Sequence, residues 1–313
     1  MDRETPLIII TGPTCSGKTS LALKLAETHP IEVISADSMQ VYRYMDIATA
    51  KPTLKERSVV AHHIIDVINP DQEFNAGMFV TMAREKIEDI RARSKIPLVV
   101  GGTGLYIKAL VYGLCAAPSR AERYRSILHG LIHKKGLSYL YEALLKMDPD
   151  VARKISPKDE PRIIRALEII FLTGKRLSNI QKVHGFSTPL LDVRIACLLP
   201  DRDILYARIN SRVIKMIDAG LIDETKNLLA MGYHPGLRSM KSLAYKHVAG
   251  FLSSKVSMEE AIRLIQRDTR RYAKRQITWF KGEHNINFFD ESSKAISVID
   301  KGLLNPGNSI GDK

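Results

Sequence analysis

Gly12-Pro13-Thr14-Cys15-Ser16-Gly17-Lys18-Thr19 is a GxxxxGKT loop, and its surroundings decide the fold. The apolar run Leu7-Ile8-Ile9-Ile10 precedes it, and the helical pattern Leu21-Ala22-Leu23-Lys24-Leu25-Ala26 follows it. A buried strand, a glycine turn and a helix start, in that order, form the context in which this pattern holds phosphate. The glycines let several backbone N–H groups converge on phosphate oxygens, and the helix N-terminus adds a favourable dipole. Lys18 is placed to bridge phosphates and Thr19 to hold a magnesium ion. Residues 12–19 are therefore expected to bind a di- or triphosphate, and the loop alone does not specify which. Cys15 reads as a small filler within it.

Further along, residues 32–35 and 97–100 read as short buried strands, separated by helical periodicity such as that of 79–93. Strands alternating with helices predict a parallel, doubly wound sheet. From about Pro118 to Pro189 the strand signal vanishes, and 120–133, 139–146 and 161–172 all read as helix. Strand signal returns at 193–199 and 286–289. The expected fold is thus α/β: a P-loop NTPase-like core, its parallel sheet flanked by helices, plus an inserted all-helical subdomain. The expected boundaries are 1–117 for the first part of the core and 118–189 for the insertion. Residues 190–313 complete the core with a basic C-terminal helix. Such insertions add little closure entropy. The tail after Leu304, with Pro306, Gly307, Asn308 and Gly311, is expected to fray.

At 313 residues the chain has room for one good core and a smaller unit. No apolar run is long enough to span a bilayer, and Met1-Asp2-Arg3-Glu4-Thr5-Pro6 leads directly into the first strand. A cytoplasmic protein with no membrane partner and no signal peptide is expected. Cys15, Cys115 and Cys197 are far apart and lack metal-ligand spacing, so reduced thiols are expected. The net charge is +13, and its placement is informative. Residues 119–188 hold 14 Lys/Arg against 7 Asp/Glu, and 263–281 hold 7 against 1, so these two segments carry the whole excess. Charge concentrated in this way is a footprint for a polyanion larger than a nucleotide, and nucleic acid is favoured.

Asp37-Ser38-Met39-Gln40-Val41-Tyr42 follows the strand ending at Ser35, which puts Asp37 at a carboxyl end where ligands bind in open parallel sheets. A carboxylate there serves magnesium or takes a proton from a nucleophile; the alternative is a helix N-cap. Asp46-Ile47-Ala48-Thr49-Ala50-Lys51-Pro52 is polar, with a lysine suited to phosphate or substrate contact. Gly101-Gly102-Thr103-Gly104-Leu105-Tyr106 follows the strand 97–100, and Thr103 offers a hydroxyl at the same edge. His62-His63 point to different faces and make no metal site by themselves; a structural or hydrogen-bonding role is expected. Near the C-terminus, Arg263, Arg267, Arg270, Arg271 and Lys274 share one helix face, with Ile262, Ile265, Ala273 and Phe280 turned away from it. This predicts an amphipathic helix with an apolar side docked and a basic side free. Tyr272 and Trp279 flank the stripe, a combination suited to backbone tracking and base stacking.

Together the loop, Asp-Ser-x-x-x-Tyr with Thr49-Ala50-Lys51-Pro52, Val99-Val100-Gly101-Gly102-Thr103-Gly104-Leu105-Tyr106, Arg165-Ala166-Leu167-Glu168 and the stretch 272–280 resemble the tRNA dimethylallyltransferase family over nearly the whole chain. The resemblance implies a magnesium-dependent transfer of a dimethylallyl group from dimethylallyl diphosphate to N6 of the adenosine 3′ to the anticodon, releasing diphosphate. It implies a monomer acting on the tRNA anticodon stem-loop. Residues 12–19 would hold the diphosphate leaving group instead of ATP, with Lys18 and Thr19 neutralising charge. Asp37 would be the general base, and Arg212, with Arg208, would lie near the diphosphate. Ser38, Met39 and Gln40 would meet the target base; Thr103 and Arg125 match positions at the RNA interface. Asp159, Glu160, Pro161, Arg162 and Ile163 would touch the stem-loop, joined by Arg267, Arg271 and Lys274 of the basic helix.

Two departures stand out. The family's Asp-Ile-Gly reads Asp46-Ile47-Ala48, and its Gly-Tyr-Lys-Glu reads Ala244-Tyr245-Lys246-His247. His247 removes a carboxylate. No Cys/His zinc element follows Phe289, which points to a bacterial-type enzyme. Three rivals share parts of this pattern: a small-molecule P-loop kinase, an isopentenyltransferase for free adenine nucleotides, and a nucleotide-gated RNA-binding protein. The first leaves the basic segments idle, the second has no need of a basic insertion, and the third requires binding without turnover.

Overall fold

A computed structural model describes residues 6–186 and 188–304. The tail expected to fray lies, from residue 305, outside the described residues. Contacts divide the chain into two units, Met1–Val111 with Leu190–Lys313, and Tyr112–Pro189.

The first unit begins β1 (Leu7–Thr11), α1 (Lys18–Ala26), β2 (Ile31–Ser35), α2 (Leu54–Val59), β3 (His62–His63), α3 (Ala76–Ala92), β4 (Ile96–Val100) and α4 (Gly104–Tyr112), the last residue of which falls in the second unit. In the second unit lie α5 (Glu122–Lys135), α6 (Leu137–Met147), α7 (Pro149–Ala152), α8 (Glu160–Thr173) and α9 (Leu177–His184). The first unit resumes with β5 (Val193–Leu198), α10 (Arg202–Asp218), α11 (Leu221–Ala230), α12 (Tyr245–Leu252), α13 (Met258–Lys281), β6 (Ile286–Phe289) and α14 (Ser292–Leu304).

Among the described residues the six strands form one parallel sheet, in the order β3-β2-β4-β1-β5-β6. Every residue of β1 and β2 is buried; β1 reads as the apolar run Leu7–Ile10, whereas in β2 the buried Glu32 interrupts the run and is paired with His63, Arg93 and Lys95. Ile9 pairs with Val99 on one side and Ile195 on the other, so β1 is central. Leu21 and Leu25 of α1 pack on Ile8, Ile10, Val33 and Leu98, and Ala295 and Ile299 of α14 join the same core. Each such side chain contributes about 1.5–3 kcal/mol by leaving water. The strand order has one consequence for function. Because β4 lies between β2 and β1, the loops following all three strands emerge side by side at the carboxyl edge.

The second unit is helical throughout among its described residues, around Leu128, Leu140, Leu144, Val151, Ile163 and Leu167. Its α8 starts at Asp159, whose side chain accepts the Arg162 N–H, and stops at Gly174, which takes φ +68°. Glu168 of α8 is fully buried. Its carboxylate accepts from the Ala121 N–H at 2.8 Å, from Arg125 Nε at 2.9 Å and from Arg165 at 2.6 Å. Burial raises its pKa, but the Arg125 and Ala121 hydrogen bonds, followed by Arg165, outweigh it and bring the group to about 2. The stabilisation is therefore full above the unfolded carboxylate value near ~4.3 and fades as pH falls toward 2. Glu168→Leu strands two guanidinium groups, one of them with access to water. We expect a loss of about 2–3 kcal/mol in urea unfolding at pH 7, shrinking as the pH is lowered.

Candidate functional site

The phosphate loop has the backbone its glycines permit. Gly12 takes φ +138° and Gly17 φ +100°; a Cβ on Gly12 would overlap the Leu198 carbonyl. Cys15 holds φ +64°, a left-handed conformation that a non-glycine residue adopts only under local constraint. The α1 N-terminus at Gly17 has no side-chain cap, so no side chain takes up its first amides, the kind of helix end that suits an anion. Lys18 Nζ donates to the carbonyls of Gly12 (3.0 Å) and Pro13 (2.8 Å). Burial pushes the Lys18 ammonium down to about 8; nearby Asp37 opposes the shift and Arg212 adds to it.

Arg212 of α10 reaches back to the loop, with Nη1 3.2 Å from Thr14 Oγ1 and 3.4 Å from Cys15 Sγ. It lines a cleft of about 900 Å³ together with Arg208 one turn before it. Thr14, Cys15, Gly17, Lys18 and Thr19 line the same cleft; so do Asp37, Ser38, Met39 and Gln40 from the end of β2. Buried Ser16 stays behind the loop, its hydroxyl without a partner among the described residues.

Asp37 uses one carboxylate oxygen locally. Its Oδ1 accepts from the Met39 and Gln40 amides at 2.8 and 3.3 Å, the cap-like arrangement, while Oδ2 has no hydrogen-bond partner among the described residues. Gln40 spends its amide inside the protein, accepting from Ser35 Oγ and donating to the Ala50 carbonyl, so it shapes the loop. Thr103 is a brace: its Oγ1 accepts the Ser38 N–H at 3.1 Å, and its own N–H donates to the Ala36 carbonyl.

Sequence reasoning missed the residue that joins these loops. Gln276 of α13 is buried; its Oε1 accepts the Thr14 N–H at 2.9 Å and its Nε2 donates to the Gly102 carbonyl at 2.8 Å. It ties the phosphate loop to the glycine turn after β4, and Thr103 ties that turn to Ala36 and Ser38 on either side of Asp37. Glu224 of α11 was missed as well. It accepts the amides of Asp46, Ile47 and Ala48 and the Tyr245 hydroxyl, fixing a segment that lines the cleft through Ala48, Thr49 and Ala50.

Several expectations are corrected. Lys51 is not a substrate contact: its side chain is 1 % exposed and donates to the Tyr42 carbonyl, Asp46 and Asp66. Arg125 is partly buried, and its guanidinium is held bidentately by Glu168. Ile163 is fully buried in the helical unit and offers a partner no side-chain surface, whereas Pro161 and Arg162 are exposed and Glu160 is partly so. The basic face of α13 is only partly free: Arg263 pairs with Glu260, Arg267 with Asp268, and Arg270 with Asn210. Arg271 is 63 % exposed at 3.7 Å from Asp268, and exposed Lys274 has no side-chain partner among the described residues. His247, the departure from an expected carboxylate, sits 2.9 Å from Asp268. A glutamate there would set two carboxylates side by side. Asp268 also accepts from Lys246 and Arg267; burial raises its pKa, but Arg267, Lys246 and His247 hold it well below the usual carboxylate range. His63 fills the hydrogen-bonding role expected of it, at 2.7 Å from Glu32.

A parallel sheet with this loop at its carboxyl edge, facing a carboxylate and two arginines, defines a P-loop NTPase-like α/β protein. The family model for IPP transferase matches residues 40–283, and that for isopentenyl transferase matches residues 5–67. The chain belongs to the IPP transferase family. It is 44 % identical over 302 residues to "tRNA dimethylallyltransferase 1" of Syntrophotalea carbinolica, covering 96 % of each chain. It is 47 % identical over 284 residues to "tRNA dimethylallyltransferase 2" of Geotalea uraniireducens, covering 91 % of this chain and 92 % of the relative. Among solved structures, a full-length tRNA isopentenylpyrophosphate transferase from Bacillus halodurans superposes with TM-score 0.71 at 39 % identity, covering 96 % of both chains. A eukaryotic dimethylallyltransferase acting on tRNA gives TM-score 0.82 at 29 % identity, covering 98 % of this chain and 81 % of the other.

Gln276→Leu removes the bridge and leaves a part-buried N–H and a buried carbonyl unpaired. A stability loss of about 1–3 kcal/mol is expected by denaturant unfolding, with weaker calorimetric binding of inorganic diphosphate. Wild-type diphosphate affinity in this variant would show that the loop holds its shape without Gln276.

Proposed function

We propose that this chain transfers the dimethylallyl group of dimethylallyl diphosphate to N6 of the adenosine adjacent, on the 3′ side, to the tRNA anticodon. One observation carries the reading: Lys18, Thr19, Arg212 and Asp37 line a single cleft, so a diphosphate holder and a proton acceptor face the same space. The relatives' names supply the group and the acceptor. N6 attacks the allylic carbon, the carbon–oxygen bond to diphosphate breaks, and the carbon becomes cation-like as the leaving group gains charge. The loop amides, Lys18 and Arg212 hold that charge. The N6 proton passes to Asp37 Oδ2; an exocyclic amine is too weak an acid to ionise first, so removal accompanies attack. An adenosine stacked in a loop must be turned out before its amine is reachable.

Magnesium suits an oxygen donor here: the Thr19 hydroxyl lines the cleft, and such an ion would take its remaining ligands from water and phosphate, leaving the Asp37 carboxylate free to act as base. Among the described residues no group of three or more His, Cys, Asp or Glu side chains could hold a metal without substrate. When bound, the ion neutralises diphosphate oxygens as the bond breaks. Ser38 and Met39 meet the target base. The stem-loop is held by Glu160, Pro161 and Arg162 of the helical unit and by Arg271 and Lys274 of α13. No described helix is long and apolar enough to cross a membrane. The enzyme works in the cytoplasm as a monomer.

The test is transfer of labelled dimethylallyl diphosphate, with magnesium, to unmodified tRNA or to AMP, ADP and ATP. Label in tRNA alone supports the reading, and label in free nucleotides or in neither overturns it. Asp37→Asn keeps the cap-like acceptor and removes the base; kcat is expected to fall by about 10²–10⁴ with RNA affinity within about threefold of wild type. Normal turnover would remove Asp37 from the role. Lys18 is charged below its pKa of about 8, so kcat/KM for dimethylallyl diphosphate falls as pH rises through about 8. The fall in kcat comes later, because bound diphosphate favours the protonated amine. A kcat/KM flat from pH 7 to 9.5 would contradict this.

A further inference from the structure

Aromatic and cationic side chains alternate along one edge of α13, beginning in the cleft. Tyr272 lines the cleft, and the Arg275 guanidinium carbon lies 5.8 Å from the Tyr272 ring centroid. One turn further, Trp279 exposes 37 % of its surface, with Lys108 Nζ of α4 6.0 Å from its ring centroid. Lys108 is itself anchored to Glu283 at 2.9 Å. The indole is seated on bare backbone, for a Cβ at Gly104 would overlap its Nε1 and Cδ1 atoms. A ring held in this way loses little freedom when something stacks on it.

Positions 272, 275 and 279 follow one helix edge, and the seven helical steps from Tyr272 to Trp279 span about 10 Å. That matches roughly three nucleotides of a stacked strand at ~3.4 Å each. Exposed Arg271, Lys274 and Lys281 occupy the neighbouring edge. An exposed indole flanked by cations suits a base carrying phosphates; an apolar protein surface would leave those cations facing no counter-charge.

We propose that Trp279 is a stacking platform for an unpaired base of the RNA substrate, with Arg275 and Lys274 holding the adjoining phosphates as the strand leaves the cleft. The proposal rests on the tRNA reading above.

Trp279 is the chain's one tryptophan, so its fluorescence reports this position without labelling. The experiment titrates the full chain with an unmodified anticodon stem-loop hairpin, following indole emission together with the anisotropy of a dye on the RNA. Emission should change in step with anisotropy. Trp279→Leu should weaken hairpin binding about tenfold, equally at low and high salt, because stacking releases no counterions. Trp279→Phe, which keeps a ring, should stay within about threefold of wild type and controls for folding. Rising anisotropy with unchanged emission, and a Leu variant that binds like wild type, would overturn the platform and leave the transferase reading standing. No anisotropy change at any RNA concentration would overturn both.

Discussion

The pairing of β4 between β1 and β2 is the constraint on which the site depends. It brings out, side by side, the phosphate loop, the Asp37 segment and the glycine turn 101–104, three pieces far apart in the chain. Pairing alone sets where the loops start. Two hydrogen-bond links, both at least partly buried, set where they end: Gln276 joins Thr14 to Gly102, and Thr103 joins the same turn to Ser38. Buried amide groups without partners are costly, so each link is held by the penalty of breaking it. The group that would hold a diphosphate and the group that would take a proton are thereby kept in fixed relation across one cleft.

α13 carries much of this arrangement. Gln276 and Tyr272 face the cleft, Asp268 gathers Lys246, His247 and Arg267, and Arg271 and Lys274 stay open to solvent. Its positive charge is divided between building the protein and meeting a polyanion. Exposed pairs such as Arg263 with Glu260 contribute little and open easily, whereas Arg267 is held at a buried carboxylate. The Asp268 cluster also accounts for the His247 departure, because a ring nitrogen fits beside a carboxylate where a second carboxylate would repel it.

Much of this was legible in the sequence. Strands buried on both faces leave continuous apolar runs, and a loop that must take positive φ leaves glycines, so β1, β4 and residues 12–19 announce themselves, while β2 shows only a short apolar pattern around Glu32. What was not legible depends on partners distant in the chain. Gln276 looks like any polar residue on a basic helix, for its partners lie 262 and 174 positions away. Lys51 reads as a ligand contact because nothing local marks the carboxylates that absorb it. Ile163 reads as part of a helix start, and only packing against Leu128 and Leu140 shows which way it turns. The two-residue β3 is too short to leave a periodic signal.

The central claim is that the phosphate loop serves a leaving group and not a nucleoside triphosphate. Product inhibition by diphosphate, measured on prenyl transfer to tRNA with no nucleotide present, tests it most directly. The account expects turnover without ATP, with diphosphate competing against dimethylallyl diphosphate for one cleft. Turnover that requires ATP, or diphosphate that fails to compete with the prenyl donor, would contradict it.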